Sequence, residues 1–242
     1  MRWTVGVALV LGLVVAAPAG AFEKDVLKTS AGDLEITFVG HGTLILGLGG
    51  KVIHVDPFGK LADYATLPKA DLVLITHGHG DHLDAKALAA IRTPGTTVIV
   101  AGICEGKVEG AVVMRNGEER VVAGIPIAAV PAYNIQNKRP DGTPFHPKGE
   151  GNGYVLTFGD TRVLVAGDTE NVPELKALKG IAVAFLPMNL PYTMTPEMVA
   201  DLARALQPKI LYPYHFGETD PALLVRLLED APAIEVRIRQ MR

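Results

Sequence analysis

The stretch LVLITHGHGDHLD, residues 72–84, limits the folds open to this chain more than any other. Its first five residues are apolar or β-branched and read as a buried strand. That strand runs without a spacer into a loop carrying three of the chain's 7 histidines and two aspartates. Residues i and i+2 of an extended segment point the same way, so His77 and His79 can hold one metal ion together. Gly78 and Gly80 then let the backbone turn sharply, and Asp81 and His82 can face a second ion a few ångström away. Imidazole and carboxylate donors without a thiolate suit zinc, manganese or iron. Four ligand-type side chains interleaved with glycines at a strand end argue against a merely solvated loop.

The first residues are of another kind. Arg2, an apolar run from Val5 to Ala17, Pro18 and then Ala19-Gly20-Ala21 form the three parts of a secretory signal. Cleavage is expected after Ala21, leaving residues 22–242 as a single domain. No Arg-Arg pair is present, which points to the general export route, and no Cys follows the apolar run to carry a lipid. An uncleaved anchor is the alternative, and Pro18 and Gly20 argue for cleavage instead. The expected location is periplasmic or secreted, with no stable membrane insertion after cleavage. The net charge is −3 and no Lys/Arg-rich stripe is visible, so nucleic acid is not an expected partner. The single cysteine, Cys104, cannot form an internal disulfide and reads as a small buried residue. An exported chain without disulfides must be held by its core or by bound metal.

The order of elements is informative. LEITFVG (34–40), TLILGLGG (43–50) and KVIHVDP (51–57) read as strands, with a glycine-rich hairpin between the second and third. After the histidine loop a short helix is expected, capped by Asp84 and burying Leu88 and Ile91. TTVIVAG (96–102), IPIAAVPAYN (125–134) and the pair GYVLTFGDTRVLVAGD (153–168) continue the β pattern, with Gly159-Asp160 as the turn of the pair. Strand IAVAFLPM (181–188) precedes a helix capped by Thr195, with Pro196 in its first turn and Met198, Val199, Leu202 and Leu206 on one face. Strand ILYPYHF (210–216) precedes a second capped helix with Leu223, Leu224, Leu227 and Leu228 as its stripe, and EVRIRQ closes as a strand. Strands come first and helices follow strands in both halves. That order fits an α/β (α+β) chain folded as a four-layer αββα sandwich.

Two ions need more donors than the loop holds. His146 follows a strand in a Pro/Gly-rich loop, His215 ends strand 210–216, and Asp168 ends strand RVLVAGD. Each sits where a strand runs into a loop, a common place for a site on a sheet scaffold. Taken alone, Asp168 could equally cap a helix over NVPELKAL. His54 alternates with Asp56 on a strand and reads as structural.

With these residues in view, the chain resembles the metallo-β-lactamase superfamily of hydrolases. THGHGDHLD, the GDT segment and a late strand-end histidine carry the resemblance. FVGHGT, HVDPF, FHPKGEGNGYVL, VAGDTE and LYPYHFGETD look like the branch that includes ascorbate-phosphate lactonases and N-acyl-phosphatidylethanolamine phospholipases. The resemblance implies a first metal position held by His77, His79 and His146. It implies a second held by Asp81, His82 and His215, with Asp168 bridging both. Many true β-lactamases carry Cys where this chain has Asp168, so the pattern points to hydrolases of esters, thioesters and phosphodiesters. The redox branch carries Glu where this chain has His79. Asp56 is then expected to accept a hydrogen bond from a ligand histidine or the loop backbone. His41 would orient substrate or cap a strand. Tyr133, Asn134, Asn189, Tyr192 and Tyr214 are candidate pocket residues.

The implied function is an exported hydrolase with two divalent ions, zinc first and manganese or iron also compatible. A hydroxide held between the ions would attack an ester, lactone or similar bond, with Asp81, His82 and Asp168 as the catalytic ligands and Asp81 or a second water handling the proton. Two carboxylates against two divalent ions leave the centre cationic, which favours a small anionic substrate. A phosphodiesterase or phospholipase-D-like hydrolase is the alternative within the class, and a non-catalytic metal-binding protein is the alternative outside it. The sequence leaves substrate and oligomeric state open.

Overall fold

The structure is a computed structural model and describes residues 22–242. The export signal expected over residues 1–21 lies outside the described residues. Two seven-stranded sheets form the molecule. The first runs in strict chain order: β1 (Glu23–Thr29), β2 (Gly32–Gly40), β3 (Thr43–Leu48), β4 (Lys51–Val55), β5 (Leu72–Ile75), β6 (Thr97–Ala101) and β7 (Val112–Met114). The second does the same: β8 (Glu119–Val122), β9 (Ile125–Ala132), β10 (Gly151–Phe158), β11 (Thr161–Val165), β12 (Ile181–Pro187), β13 (Ile210–Tyr214) and β14 (Glu235–Val236). In each sheet the first four strands pair antiparallel and the last four pair parallel, so the fourth strand belongs to both sets.

Side-chain alternation explains how the layers stack. Leu72 and Leu74 of β5 point into the core between the sheets, while Val73 and Ile75 point outward. The outward pair is covered by α1 (Ala85–Ile91), which buries Ala87, Leu88 and Ile91 on it. Asp84 caps this helix, accepting from the N–H groups of Lys86 and Ala87, as its place ahead of the apolar stripe predicts. The second sheet is covered by α2 (Pro173–Lys176), α3 (Pro196–Leu206) and α4 (Ala222–Leu227). Thr195 caps α3 through the N–H of Met198, and Val199, Leu202 and Leu206 are buried beneath it. The αββα sandwich read from the sequence is the observed architecture. Among the described residues no helix is long and apolar enough to cross a membrane.

Several local expectations are corrected. β1 is an edge strand of alternating charge, EKDVLKT, with too little apolar signal to announce itself. β7 and β8 have three and four residues, too short for a period to show. The closing strand is confined to Glu235–Val236, because the chain leaves the sheet as Arg237 and Arg239 turn toward Asp25. The α4 stripe holds at Leu224 and Leu228, with Leu227 partly buried against the same core, but Leu223 is exposed. Asp168 caps no helix, since α2 begins after Val172.

Asp25 joins the two sheets at their outer edge. Its carboxylate, on β1, accepts from Arg239 at 2.8 Å, from Arg237 at 3.3 Å and from the hydroxyl of Tyr212 on β13. Burial alone would raise its pKa, but Tyr212 and the two guanidinium groups outweigh that and hold it below the usual carboxylate range. Asp25→Asn should cost about 1–2 kcal/mol at neutral pH, because the half-buried Arg239 loses its carboxylate partner and Arg237 keeps only Glu235. A folded pKa below the unfolded one means this stabilisation is complete above about pH 4 and fades as pH falls further. Urea melts of both proteins at pH 7 and at acid pH check it: the gap between them should close on acidification.

Candidate metal centre

The C-terminal ends of β2, β4 and β5 in the first sheet, and of β9, β11 and β13 in the second, all face one edge of the sandwich. Within each sheet the pairings fix this direction, and the donor groups drawn from both sheets show the two sets of ends meeting. His41 follows β2, Asp56 follows β4, and Thr76 with the histidine loop follows β5. From the other sheet, Asn134 follows β9, Asp168 follows β11, Asn189 follows β12 and His215 follows β13. Residues up to 174 positions apart in the sequence thus meet because their strands point the same way.

Three donor groups form. The ligating atoms of His77, His79 and His146 lie within 4.8 Å of one another, as do those of His41, Asp81, His82 and His215, and those of His77, His82 and Asp168. Asp168 sits between the first two groups. Its Oδ2 is 3.4 Å from Nε2 of His146, 3.7 Å from that of His82 and 3.9 Å from that of His77, while its Oδ1 is 3.6 Å from Nε2 of His215.

Each buried imidazole is oriented from behind. His82 offers Nδ1 to Asp56 at 2.8 Å, which leaves Nε2 facing the centre. The same Asp56 carboxylate accepts from the N–H of Thr76 at 2.8 Å and from its hydroxyl at 2.6 Å. With its proton given to Asp56, the Thr76 oxygen can accept from Nδ1 of His77, 3.0 Å away. The amide oxygen of Asn134 accepts from both the backbone N–H and Nδ1 of His146, each at 2.8 Å. Nδ1 of His215 contacts the Asn189 amide at 3.3 Å. Asp81, by contrast, meets Nε2 of His41 at 3.0 Å. Any side chain at Gly42 would stand 3.0 Å from the His82 ring and 3.3 Å from that of His215, so glycine is required for the rings to close in.

The electrostatics suit a cation. Burial drives the imidazoles of His77 and His146 toward the neutral form, His146 down to about 4. Burial also works against charge on His82, but Asp168, Asp56 and Asp81 together push its pKa up to about 9. Burial would raise the Asp168 pKa, yet His215, His82, His77 and His146 hold the carboxyl ionised. Among the described residues the buried Oδ1 of Asp168 has no hydrogen-bond partner. Nε2 of His82 and Nε2 of His215 face each other at 3.2 Å. His215 Nδ1 accepts from the Asn189 amide, so its Nε2 and that of His82 converge on one space beside Asp168. An orphaned buried carboxylate oxygen and converging imidazole nitrogens are a donor set that fits divalent metal.

The remaining expected residues fall elsewhere. Tyr214 is fully buried behind the centre and its hydroxyl accepts from the N–H of Gly167. Tyr133 is buried with its hydroxyl donating to Glu174. Neither lines the cavity over the centre, which measures about 370 Å³ and is bounded by His79, Asp81, Arg139, Phe145, Tyr192 and Asn189 among others. His54 bonds the Pro68 carbonyl away from the site, and burial pushes its pKa down to about 4. Cys104 is fully buried. Glu170 stands in the VAGDTE motif, where nothing in the sequence signals its role. Its buried carboxylate accepts from the N–H groups of Ile135, Gln136 and Asn137 and from the Asn134 amide, and so fixes the loop that carries His146.

Comparison with known proteins agrees with this geometry. The family described as "Beta-lactamase superfamily domain" matches residues 35–215. A UPF0173 metal-dependent hydrolase of Koribacter versatilis is 34% identical over 217 residues, 84% of this chain and 92% of that protein. One from Pelotomaculum thermopropionicum is 30% identical over 220 residues, 85% and 96% of the two chains. Among solved structures, a candidate metal-dependent hydrolase of Parabacteroides distasonis superposes with a TM-score of 0.87 at 47% identity, over 91% of this chain and 100% of that one. The metallo hydrolase Igni18 of Ignicoccus hospitalis superposes with a TM-score of 0.71 at 26% identity, over 86% and 95%. The sheets, the strand-end histidines and these matches together make the chain a metal-dependent hydrolase belonging to the metallo-β-lactamase superfamily.

Proposed function

We propose that the chain is a binuclear hydrolase of an ester or lactone bond in a small anionic substrate. The observation that carries this is the pair of donor groups meeting at Asp168, whose Oδ1 has no other partner among the described residues. In this reading His77, His79 and His146 hold one divalent ion, Asp81, His82 and His215 a second, and Asp168 both. Zinc is favoured, and manganese or iron also suits these donors. When bound, such ions bring the pKa of water toward neutrality and polarise a carbonyl or phosphoryl oxygen.

The chain's own residues do the rest. Asp56, Thr76, Asn134 and Asn189 hold the imidazole rings, so the donors are set before any ion or substrate arrives. The Asp81 carboxylate takes up a proton, and His41, whose Nε2 lies 3.0 Å from it and is partly open to solvent, is the next holder. Phe145 and Tyr192, ring against ring at 5.0 Å, wall the cavity and limit water. A location outside the cytoplasm is part of the proposal and rests on the sequence of residues 1–21.

Metal analysis of the purified protein, with ester, lactone and phosphodiester panels run alongside, tests this reading. Wild type should retain about two ions per chain. His79→Ala should lose metal and turnover, and Asp168→Ala should lose both ions and all activity. Full activity in Asp168→Ala would remove the bridging assignment. Turnover of phosphodiesters alone would move the bond class, and retained metal without any turnover would favour a metal-binding protein. Asp56→Asn places an amide donor against His82 Nδ1–H and should weaken zinc affinity by about 10–100-fold in a competition titration. Unchanged affinity in that variant would strip Asp56 of its role.

A further inference from the structure

The cavity over the centre has on its rim a cation, Arg139, that forms no ion pair among the described residues. Arg139 lies at the tip of a hairpin that rises from the His146 loop. The N–H of Arg139 donates to the Thr143 carbonyl at 2.7 Å, and that of Gly142 donates back to the Arg139 carbonyl at 2.9 Å. Lys138 and Pro144 pair below it. The base of the hairpin is fixed by the Glu170 carboxylate and by the Asn137 amide, which donates to the Thr193 carbonyl at 2.5 Å. A rigid base of this kind spares a substrate contact the entropy of ordering a loop.

The guanidinium is itself placed. It stacks over the Phe145 ring with its carbon 5.1 Å from the centroid, and it donates to the Phe145 carbonyl at 3.4 Å. Phe145 is in turn braced edge-on by Tyr192. Among the described residues no carboxylate pairs with Arg139. The nearest carboxylate in sequence, Asp141, bonds the N–H and hydroxyl of Thr143 through Oδ1 and feels the Arg139 charge without forming an ion pair with it. Arg139 lines the same cavity as His79, Asp81, His146, Asp168 and His215. A guanidinium presents a planar fork matched to an oxyanion, and an aromatic face beneath it keeps that fork at a fixed angle.

We infer that Arg139, seated on Phe145, binds a second anionic group of the substrate, a carboxylate or phosphate remote from the bond that is cleaved. This deepens the hydrolase reading and rests on it. The substrate class is then a small ester or lactone carrying its own oxyanion, held at two points: the cleaved group at the Asp168 centre and the free anion at the hairpin. Arg139 selects the substrate rather than taking part in the bond cleavage.

Calorimetry with non-hydrolysable probes separates this from attraction to metal alone. N-phenylsuccinamate carries the remote carboxylate, 3-anilino-3-oxopropylphosphonate carries a phosphonate in its place, and N-phenylbutanamide carries neither. The zinc-loaded wild type should bind the better anion about ten- to a hundredfold more tightly than the neutral amide, and which anion wins names the source. Arg139→Gln should lose most of that preference with unchanged zinc content, and Arg139→Lys should recover only part of it. A preference that survives in Arg139→Gln puts the anion on the metals and overturns the inference. Absence of any preference in wild type overturns it too. Zinc content and turnover of 4-nitrophenyl butyrate by wild type are read separately. Their failure would count against the hydrolase reading, whereas an Arg139-dependent preference would still identify the anion site.

Discussion

A buried carboxylate between two sheets has to be answered from both of them. Asp168 is 5% exposed and stays ionised only because imidazoles from each sheet surround it. Remove those neighbours and burial alone would force its carboxyl toward the neutral form. Nearly every other feature of the site follows from this demand. The imidazoles must present Nε2 inward, so Asp56, Thr76 and Asn134 occupy their outer nitrogens. Asn134 must not move, so Glu170 gathers the N–H groups of the three residues after it. The orientation of the centre therefore passes outward through one shell of hydrogen bonds into the sheets themselves.

The backbone carries part of the cost. His41, Asp56 and His215 all adopt positive φ, between 45° and 52°, a region costing a non-glycine residue about 1 kcal/mol or more. Three such residues at one centre are held there by tertiary bonds: the N–H of His215 donates to the His41 carbonyl, and Asp56 is bonded through its N–H to Leu74. A chain selected for stability alone would place asparagine or glycine at these positions. Here the side chains are needed at angles that relaxed strand ends do not supply.

Much of the centre was legible in the sequence because its donors cluster. His77, His79, Asp81 and His82 are neighbours, and the apolar run before them fixes where they emerge. Asp168 and His215 were legible as polar residues ending apolar strands. What escaped notice depends on contacts between distant segments. Glu170 looks like one more acidic residue after a turn, and only the fold shows that the 135–137 backbone lies over it. Asp25 belongs to a strand of mixed charge whose partners, Tyr212 and Arg239, are near the other end of the chain. Tyr133 and Tyr214 were expected at the cavity because they flank strand ends. Strand alternation instead turns Tyr214 into the interior, where its hydroxyl serves Gly167. Gly167 itself, at positive φ and with the Asn152 carbonyl 2.7 Å from where a side chain would start, marks a tightness no local pattern reveals.

The strict chain order of the two sheets has a consequence for how the protein could be divided. The chain passes from one sheet to the other once, between β7 and β8, through the partly exposed turn at Arg115–Glu118. On one side of that turn lie His77, His79, Asp81 and His82; on the other lie His146, Asp168 and His215. Cut there, the molecule becomes two fragments with half a centre each and an apolar face apiece. Their reunion would be a complementation reaction that restores the donor groups drawn from both sheets. Ion uptake would then be a direct count of fragments correctly rejoined.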